Sequence, residues 1–441
     1  MKALTAFALL ALSAFGARGN TIVNIKTAQE FIQFSNDVKN KKNSNATVYL
    51  QSDIDFAGVS DQFHSIGETS SVGFTGVFDG QGHTISHLTL QNKEQYHYGL
   101  FGVSTGATVR NLIVDKTCTV IGTSVTNKTC TWDPYTLTVG GIFGYCLSDK
   151  KECLLENNIF MGKMAFIGKT PDTTNVHIGG IVGEAYATGY LSTVKNCVNY
   201  GSISFSGRAD SVSMGGVAGR ISARYEKYSS RLYNCLNYGS LSHTGTTTTY
   251  LNIGGVLGGN SNSYDVIDSI VNYGTISYNS ANSDDVRKDS IGGIIGTLAN
   301  AFVTHSFWIG DAYTKGAGTT SGTAELSEST YFDDVNFKLG KSVFAGPYLG
   351  SSLIKALDSV AEYRAERKYS QWLLNKSGRE VRFVVNGEKP FFVTSSQLVL
   401  MPNLADGVAK RFVGWFVDSG CKTEVTNFEI EADTVLYAKF A

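Results

Sequence analysis

Only five of the 441 residues are proline and only 17% are charged. So little proline beside 48 glycines argues against a disordered tail and fits an ordered β structure with many tight turns. The charges nearly cancel, at a net of −1, which removes the basic surface that nucleic-acid binding needs. No stretch approaches 18 apolar residues, so no transmembrane segment is expected in the mature chain. The apolar run over 3–15 behind Lys2 is too short to span a bilayer. With small residues Ala14, Gly16, Ala17 and Gly19 after it, residues 1–19 read as a secretory signal peptide. Neither CxxC nor HExxH spacing occurs, and no metal or other cofactor is expected.

What the chain has in quantity is a glycine pulse. GGIFG at 140–144 returns as GGIVG at 179–183, GGVAG at 215–219, GGVLG at 254–258 and GGIIG at 292–296, after a degenerate YGLFG at 98–102. The closing glycines stand 36 to 42 residues apart, the signature of a repeat array. Between the pulses runs a second segment, among its copies VRNLIV at Val109, VKNCVNYGSI at Val194 and LYNCLNYGSL at Leu232. Aligned, these segments give an apolar column of Val109, Leu155, Val194, Leu232, Ile267 and Val303. A second column holds Leu112, Asn158, Cys197, Cys235, Ile270 and Ser306. Alternating apolar residues indicate strands with one buried face. No helical pattern of ten residues interrupts the repeats, so each coil buries its strands by stacking on the next. The expected fold is all-β: a right-handed parallel β-helix solenoid with coils of about three strands and glycines at the corners.

The start of the solenoid needs a cover, because an open end presents unpaired strand edges. Thr27 with Glu30 forms a capping-box signature, followed by Phe31, Phe34 and Val38 at helical spacing. ATVYLQSDIDF then alternates as a strand. The domains read as a signal peptide at 1–19, an N-terminal cap at 20–72, repeats at 73–310, a linker with a capping helix near 353–363 within 311–379, and a last unit at 380–441. In that last unit VRFVVNG, SSQLVLMPNL, KRFVGWFVD and TVLYAKF alternate as four strands.

Two resemblances accompany this reading. The cap helix, DIDF strand, SIG turn, FxGxFDGQGHTI, GLFG, NLIV and GG[IV]xG units over roughly 25–310 are similar to GLUG-motif proteins. That likeness implies a β-helical exported or surface protein with an adhesive role. GLUG motifs also accompany some secreted peptidases, but no peptidase domain is recognisable here. VRFVVNG, GWF and LYAKF in the last 60 or so residues resemble the internalin-type B-repeat, implying a small β-grasp-like C-terminal domain in which Gly414, Trp415 and Tyr437 are structural.

A search for chemistry returns few candidates. Glycan-active β-helices need carboxylates, or a carboxylate with Lys or Arg, on the outer strands of neighbouring coils. The column Asn111, Asn157, Asn196, Asn234, Ser269, His305 instead reads as an amide ladder. Asp79 and His83 form an acid–imidazole pair in sequence, although an Asp in a Gly-rich turn more often caps backbone. His64, His83, His87 and His97 read as a surface scatter. Tyr200, Tyr238 and Tyr273 repeat in register beside glycines, either as an outer face for sugar rings or a protein partner, or as a structural stack. Seven cysteines in an exported chain admit disulfides, with Cys118–Cys130 and Cys146–Cys153 as local staples. Cys197 and Cys235 are expected to remain buried thiols. Asn45, Asn127 and Asn375 stand in glycosylation sequons. The expectation is a secreted or surface-retained, non-enzymatic adhesin binding a host or matrix glycan or protein. A β-helical polysaccharide lyase or hydrolase and a structural coat component are the alternatives.

Overall fold

The computed structural model describes residues 21–91, 95–125, 136–171, 174–225, 228–261, 265–268, 270–272, 274–279, 287–304, 306–308 and 316–321. Beyond these it describes 372–374, 379–384, 390–394, 398–400, 412–425 and 432–440. The signal segment, Asn127, Cys130, Tyr273, Asn375 and the helix read near 353–363 lie outside these residues.

The architecture is a parallel β-helix. Its coils are larger than the three strands expected: among the described residues six successive coils, from Val77–Asp79 to Ile295–Ala299, each pass through five short strands, one in each of five parallel sheets, here A to E in coil order. One coil runs Ser192–Lys195 (sheet A), Val198–Asn199 (B), Ser202–Phe205 (C), Arg208–Gly215 (D) and Ala218–Ala223 (E). The column Val109, Leu155, Val194, Leu232, Ile267, Val303 pairs in register along sheet A and is buried throughout. So is the column Leu112, Asn158, Cys197, Cys235, Ile270, Ser306. These columns lie three residues apart, which simple alternation does not allow. The residue between sheets A and B resolves the conflict: Asn111, Asn157, Asn196 and Asn234 all have φ between 54° and 56°. Asn tolerates this left-handed conformation better than most side chains, and the resulting kink turns both columns inward.

The glycine pulse links sheets D and E, and its second glycine faces the end of sheet B. A β carbon at Gly216 would lie 2.1 Å from Cγ of Asn237 and 2.4 Å from the Gly255 carbonyl oxygen. Gly180 meets Asn199, and Gly255 meets Asn272, in the same way. These three asparagines are wholly buried. Each closes its own turn, as where Asn199 Oδ1 accepts from Gly201 N at 3.0 Å and its Nδ2 donates to Gly201 O at 3.2 Å. The three are also linked from coil to coil: Asn199 Nδ2 donates to Asn237 Oδ1 (2.8 Å), and Asn237 Nδ2 to Asn272 Oδ1 (2.9 Å).

At the N-terminal end the helix Ala28–Lys39 forms as its sequence signals. Thr27 Oγ1 accepts from Glu30 N, and Glu30 Oε2 accepts from Thr27 N, each at 3.2 Å. Phe31 and Phe34 pack edge-on against Phe56 and Phe74, with ring centroids 5.6 and 5.8 Å apart, closing the first coil with aromatic bulk. The segment expected as one strand is two, Thr47–Leu50 and Ile54–Asp55. Ile22–Ile25, ahead of the helix, adds the outermost strand of sheet A. The cap segment thus already belongs to the solenoid. At the other end, Ala317–Ser321 extends sheet E beyond the boundary expected at 310.

The C-terminal unit contains a four-stranded mixed sheet. Val381–Val384 and Thr434–Phe440 pair in parallel at its centre, flanked by Pro390–Thr394 and Phe412–Phe416 in antiparallel register. Trp415 is buried, its ring edge-on to Phe383 at 4.9 Å, as a structural role requires.

The glycine contacts give a paired test. Gly216→Ala forces a methyl into a buried amide and a backbone oxygen, and is expected to destabilise the protein by about 3 kcal/mol. At Gly259 the nearest atom to an added β carbon is 3.4 Å away, so Gly259→Ala should change stability by less than about 1 kcal/mol. Equal effects of the two in thermal or denaturant melts would contradict the packing described.

Candidate functional site

The sequence-predicted residues separate in the structure. Tyr200 and Tyr238 are half-buried and stack on each other at 5.6 Å and 24°, so their faces are largely used within the ladder. Asp79 does not meet the His83 imidazole. Its Oδ1 accepts from Gln81 N and Asn111 Nδ2, and its Oδ2 from Arg110 Nε at 2.9 Å, whereas His83 faces Asp53. Asn157 Nδ2 in turn donates to Asn111 Oδ1 at 2.7 Å, so Asp79 terminates the expected amide ladder. Cys146 and Cys153 form a disulfide. Cys118 does not form the staple proposed with Cys130: it is a buried free thiol donating to the Ile85 carbonyl, and burial pushes its pKa up to about 11. Cys197 and Cys235 are buried thiols, as expected. Asn45 is exposed, as an acceptor of a glycan must be.

Two columns missed by sequence reasoning bring ionisable side chains of neighbouring coils together. One runs along the outer face of sheet A, a single residue before the asparagine ladder: Asp79, Arg110, Glu156, Lys195. The expectation that no column places carboxylates beside Arg or Lys on neighbouring outer strands is therefore corrected. Neighbours in this column pair up, with Arg110 on Asp79 and Lys195 on Glu156, both at 2.9 Å.

The other lies between sheets D and E, whose strands fold back on each other across the GG turn. Along sheet D, His97, Thr138, His177, Ser213 and Asn252 are in register. Along sheet E, Tyr145, Glu184 and Arg220 are. His97 Nδ1 lies 2.9 Å from Thr138 Oγ1 with its ring 4.8 Å from that of Tyr145. His177 Nδ1 meets Glu184 Oε2 at 3.0 Å, and Glu184 Oε1 accepts from Ser222 Oγ at 2.9 Å. Burial works against the Glu184 carboxylate, but attraction to His177, their hydrogen bond and Arg220 outweigh it and hold its pKa at about 2. Burial drives His97 down to about 4, partly offset by Glu184. His97 thus belongs to a buried seam and not to a surface scatter. Its sequence signal is a polar residue two positions before each GG pair. The seam bridges the D and E strands, with His97, His177 and Glu184 all buried. Among the described residues, no three His, Cys, Asp or Glu side chains gather as metal ligands would.

No protein-family model and no curated protein matches the chain. Among solved structures it is similar to a Bacteroides ovatus protein described as a "putative immunoglobulin A1 protease". Identity is 20% over 70% of this chain and 85% of that one, with a TM-score of 0.42.

Two of the exposed aromatic rings stand at the corners between sheets E and A, while Tyr250 and Tyr278 are exposed on strands of sheets D and C. Tyr190 and Tyr225 are 48% and 52% exposed, and they occupy this corner in successive coils, since Ala187 pairs with Ala223 before it and Ser192 with Ser230 after it. The Arg224 guanidinium carbon lies 5.3 Å from the Tyr225 ring centroid. No helix among the described residues is long and apolar enough to cross a membrane.

The buried imidazoles predict a pH response. His243, stacked on Phe205 at 5.2 Å, is also lowered to about 4, chiefly by burial. Above an unfolded pKa of about 6.5 neither state holds the extra proton. Below it the unfolded chain takes up protons that the folded one refuses, so stability falls from about pH 6.5 toward pH 4, by about 3 kcal/mol per histidine at most. Melting temperatures should decline across pH 6.5 to 5, and His97→Gln should flatten the decline. A flat profile for the unmodified protein would contradict the burial of these rings.

Proposed function

We propose that the chain is an exported, non-enzymatic recognition protein, an adhesin of GLUG type with a B-repeat-like C-terminal module, which binds a glycan or protein outside the cell. The observation that carries this reading is the pair of exposed tyrosines on stacked E–A corners. Flat amphipathic rings at a repeating corner offer apolar faces to sugar rings or to a partner's side chains while their hydroxyls stay hydrated. The signal-like N-terminus and the Cys146–Cys153 disulfide both support an oxidising, exported setting. The second reading, a polysaccharide-active enzyme, draws on Asp79, Arg110, Glu156 and Lys195 on the outer face of sheet A. Their mutual pairing at 2.9 Å favours a stabilising ladder over an acid and base held free for substrate.

An array of immobilised glycans and matrix proteins, with release of reducing ends followed in parallel, distinguishes the readings. Saturable binding without turnover is expected, and Tyr190→Ala with Tyr225→Ala should weaken it about tenfold or more. Turnover abolished by Glu156→Gln would establish the enzyme reading, and absence of any ligand across the array would overturn recognition.

A further inference from the structure

The corner that carries Tyr190 and Tyr225 continues toward the N-terminus into a pocket. Corners of successive coils stack directly: Lys150 N donates to Thr105 O (3.4 Å), Tyr190 N to Ser148 O (3.0 Å) and Arg224 N to Ala187 O (2.8 Å). Beside the first of these corners lies a cavity of about 340 Å³ whose wall includes Ser70, Ser71, Thr75, Thr105, Lys150 and Lys151. Its only charged lining residues are the two lysines, and its other side chains are hydroxyls.

Both sides of this wall are fixed in place. The Cys146–Cys153 disulfide, spanning 6.3 Å between Cα atoms, closes the loop that presents the lysines. Lys151 lies directly on Gly106, where φ is +113° and a β carbon would come within 2.5 Å of the Lys151 Cγ. Opposite them, Thr75 Oγ1 donates to Ser44 O at 3.1 Å, and the hydroxyls of Thr69 and Ser71 meet at 3.0 Å. Burial holds the Lys151 ammonium below its ordinary value. The acidic neighbours on the same loop, Asp149 and Glu152, do not line the cavity, and Glu152 accepts from Thr193 Oγ1 at 3.3 Å.

We propose that the E–A corners bind a polyanionic glycan, with a sulfate or carboxylate group seated between Lys150, Lys151 and the pocket hydroxyls and the following sugar rings laid over Tyr190 and Tyr225. Two lysine ammonium groups beside hydroxyls in the wall of one cavity suit an oxyanion, and charge-assisted hydrogen bonds are the stronger kind. Strands of adjacent coils are about 4.8 Å apart, a step comparable with one sugar unit, so an extended chain along the axis meets one corner after another. Arg224, beside Tyr225, supplies a further cation. The chain's net charge of −1 gives no bulk attraction to polyanions, so such binding would be local to these corners. The inference rests on the recognition reading above and names its ligand class.

The test measures binding of the full chain to dextran sulfate, hyaluronate and neutral dextran across a salt series. Dextran sulfate, hyaluronate or both should bind at least about tenfold tighter than dextran, with affinity falling as salt rises. The sulfate and carboxylate arms distinguish the two sources of the anion. Lys150→Ala with Lys151→Ala should remove the preference, whereas Lys163→Ala with Lys169→Ala, exposed lysines elsewhere, should not. Equal affinity for neutral and anionic chains, no binding to any of them, or equal losses in the two lysine pairs would overturn the proposal. Binding of dextran or a matrix protein that depends on Tyr190 and Tyr225 but not on the lysines would overturn it while leaving the recognition reading intact.

Discussion

The contact between the second glycine of each GG pair and the asparagine that ends sheet B constrains everything around it. At Gly180, Gly216 and Gly255 there is no room for a β carbon, and the asparagine opposite is held by three or four hydrogen bonds within its turn and along the stack. Because the glycine backbone sits against the amide, the D–E turn reaches the sheet B wall, and the D and E strands fold back closely enough for His177 to reach Glu184. The polar seam depends on that approach: a wider turn would leave buried ionisable groups without partners, a far larger penalty than the loss of any one contact.

Much of this was readable in the sequence wherever a single residue type has a single physical use. The inward column from Val109 to Val303 followed from apolar residues recurring once per repeat, and the capping box at Thr27 and Glu30 from local chemistry alone. The asparagine ladder was readable as a column, although its backbone conformation was not considered, and so the three-residue step between the two inward columns had no account. Five strands per coil were not legible because strands such as Val198–Asn199 span two residues, too few for alternation to show. The D strands hid their polar seam for a different reason. Thr136–Gly140 is buried at every position, so no polar-out, apolar-in rhythm marks His97 or His177 as unusual.

The candidate site was less legible than the fold, since it is assembled from segments distant in sequence. Ser70 comes from the cap, Thr75 from the start of the repeats, Thr105 from the first glycine-pulse coil and Lys150 and Lys151 from the next, and no motif links them. Repetition directed attention to Tyr200 and Tyr238, which recur in strict register. That same regularity lets them stack on one another, whereas Tyr190 and Tyr225 fall in corner loops of unequal length and keep their faces open. In a solenoid, perfect repetition tends to mark what the coils need from one another, and departures from it mark surface available to something else.

The two asparagine ladders differ in how their polarity is fixed, and this bears on how such an array lengthens over evolutionary time. In the ladder at the end of sheet B, the Gly201, Gly239 and Gly274 N–H groups can only donate, so each Oδ1 is oriented by its own turn and each asparagine presents the same pair of faces to whichever coil adjoins it. Duplication or excision of a whole coil there leaves no amide without a partner. The other ladder ends on the Asp79 carboxylate, which can only accept, so its first rung has no substitute among the asparagines. A coil bearing Asn199, Asn237 or Asn272 can therefore be gained or lost without stranding an amide of that ladder, whereas the coil of Asp79 has no equivalent to replace it.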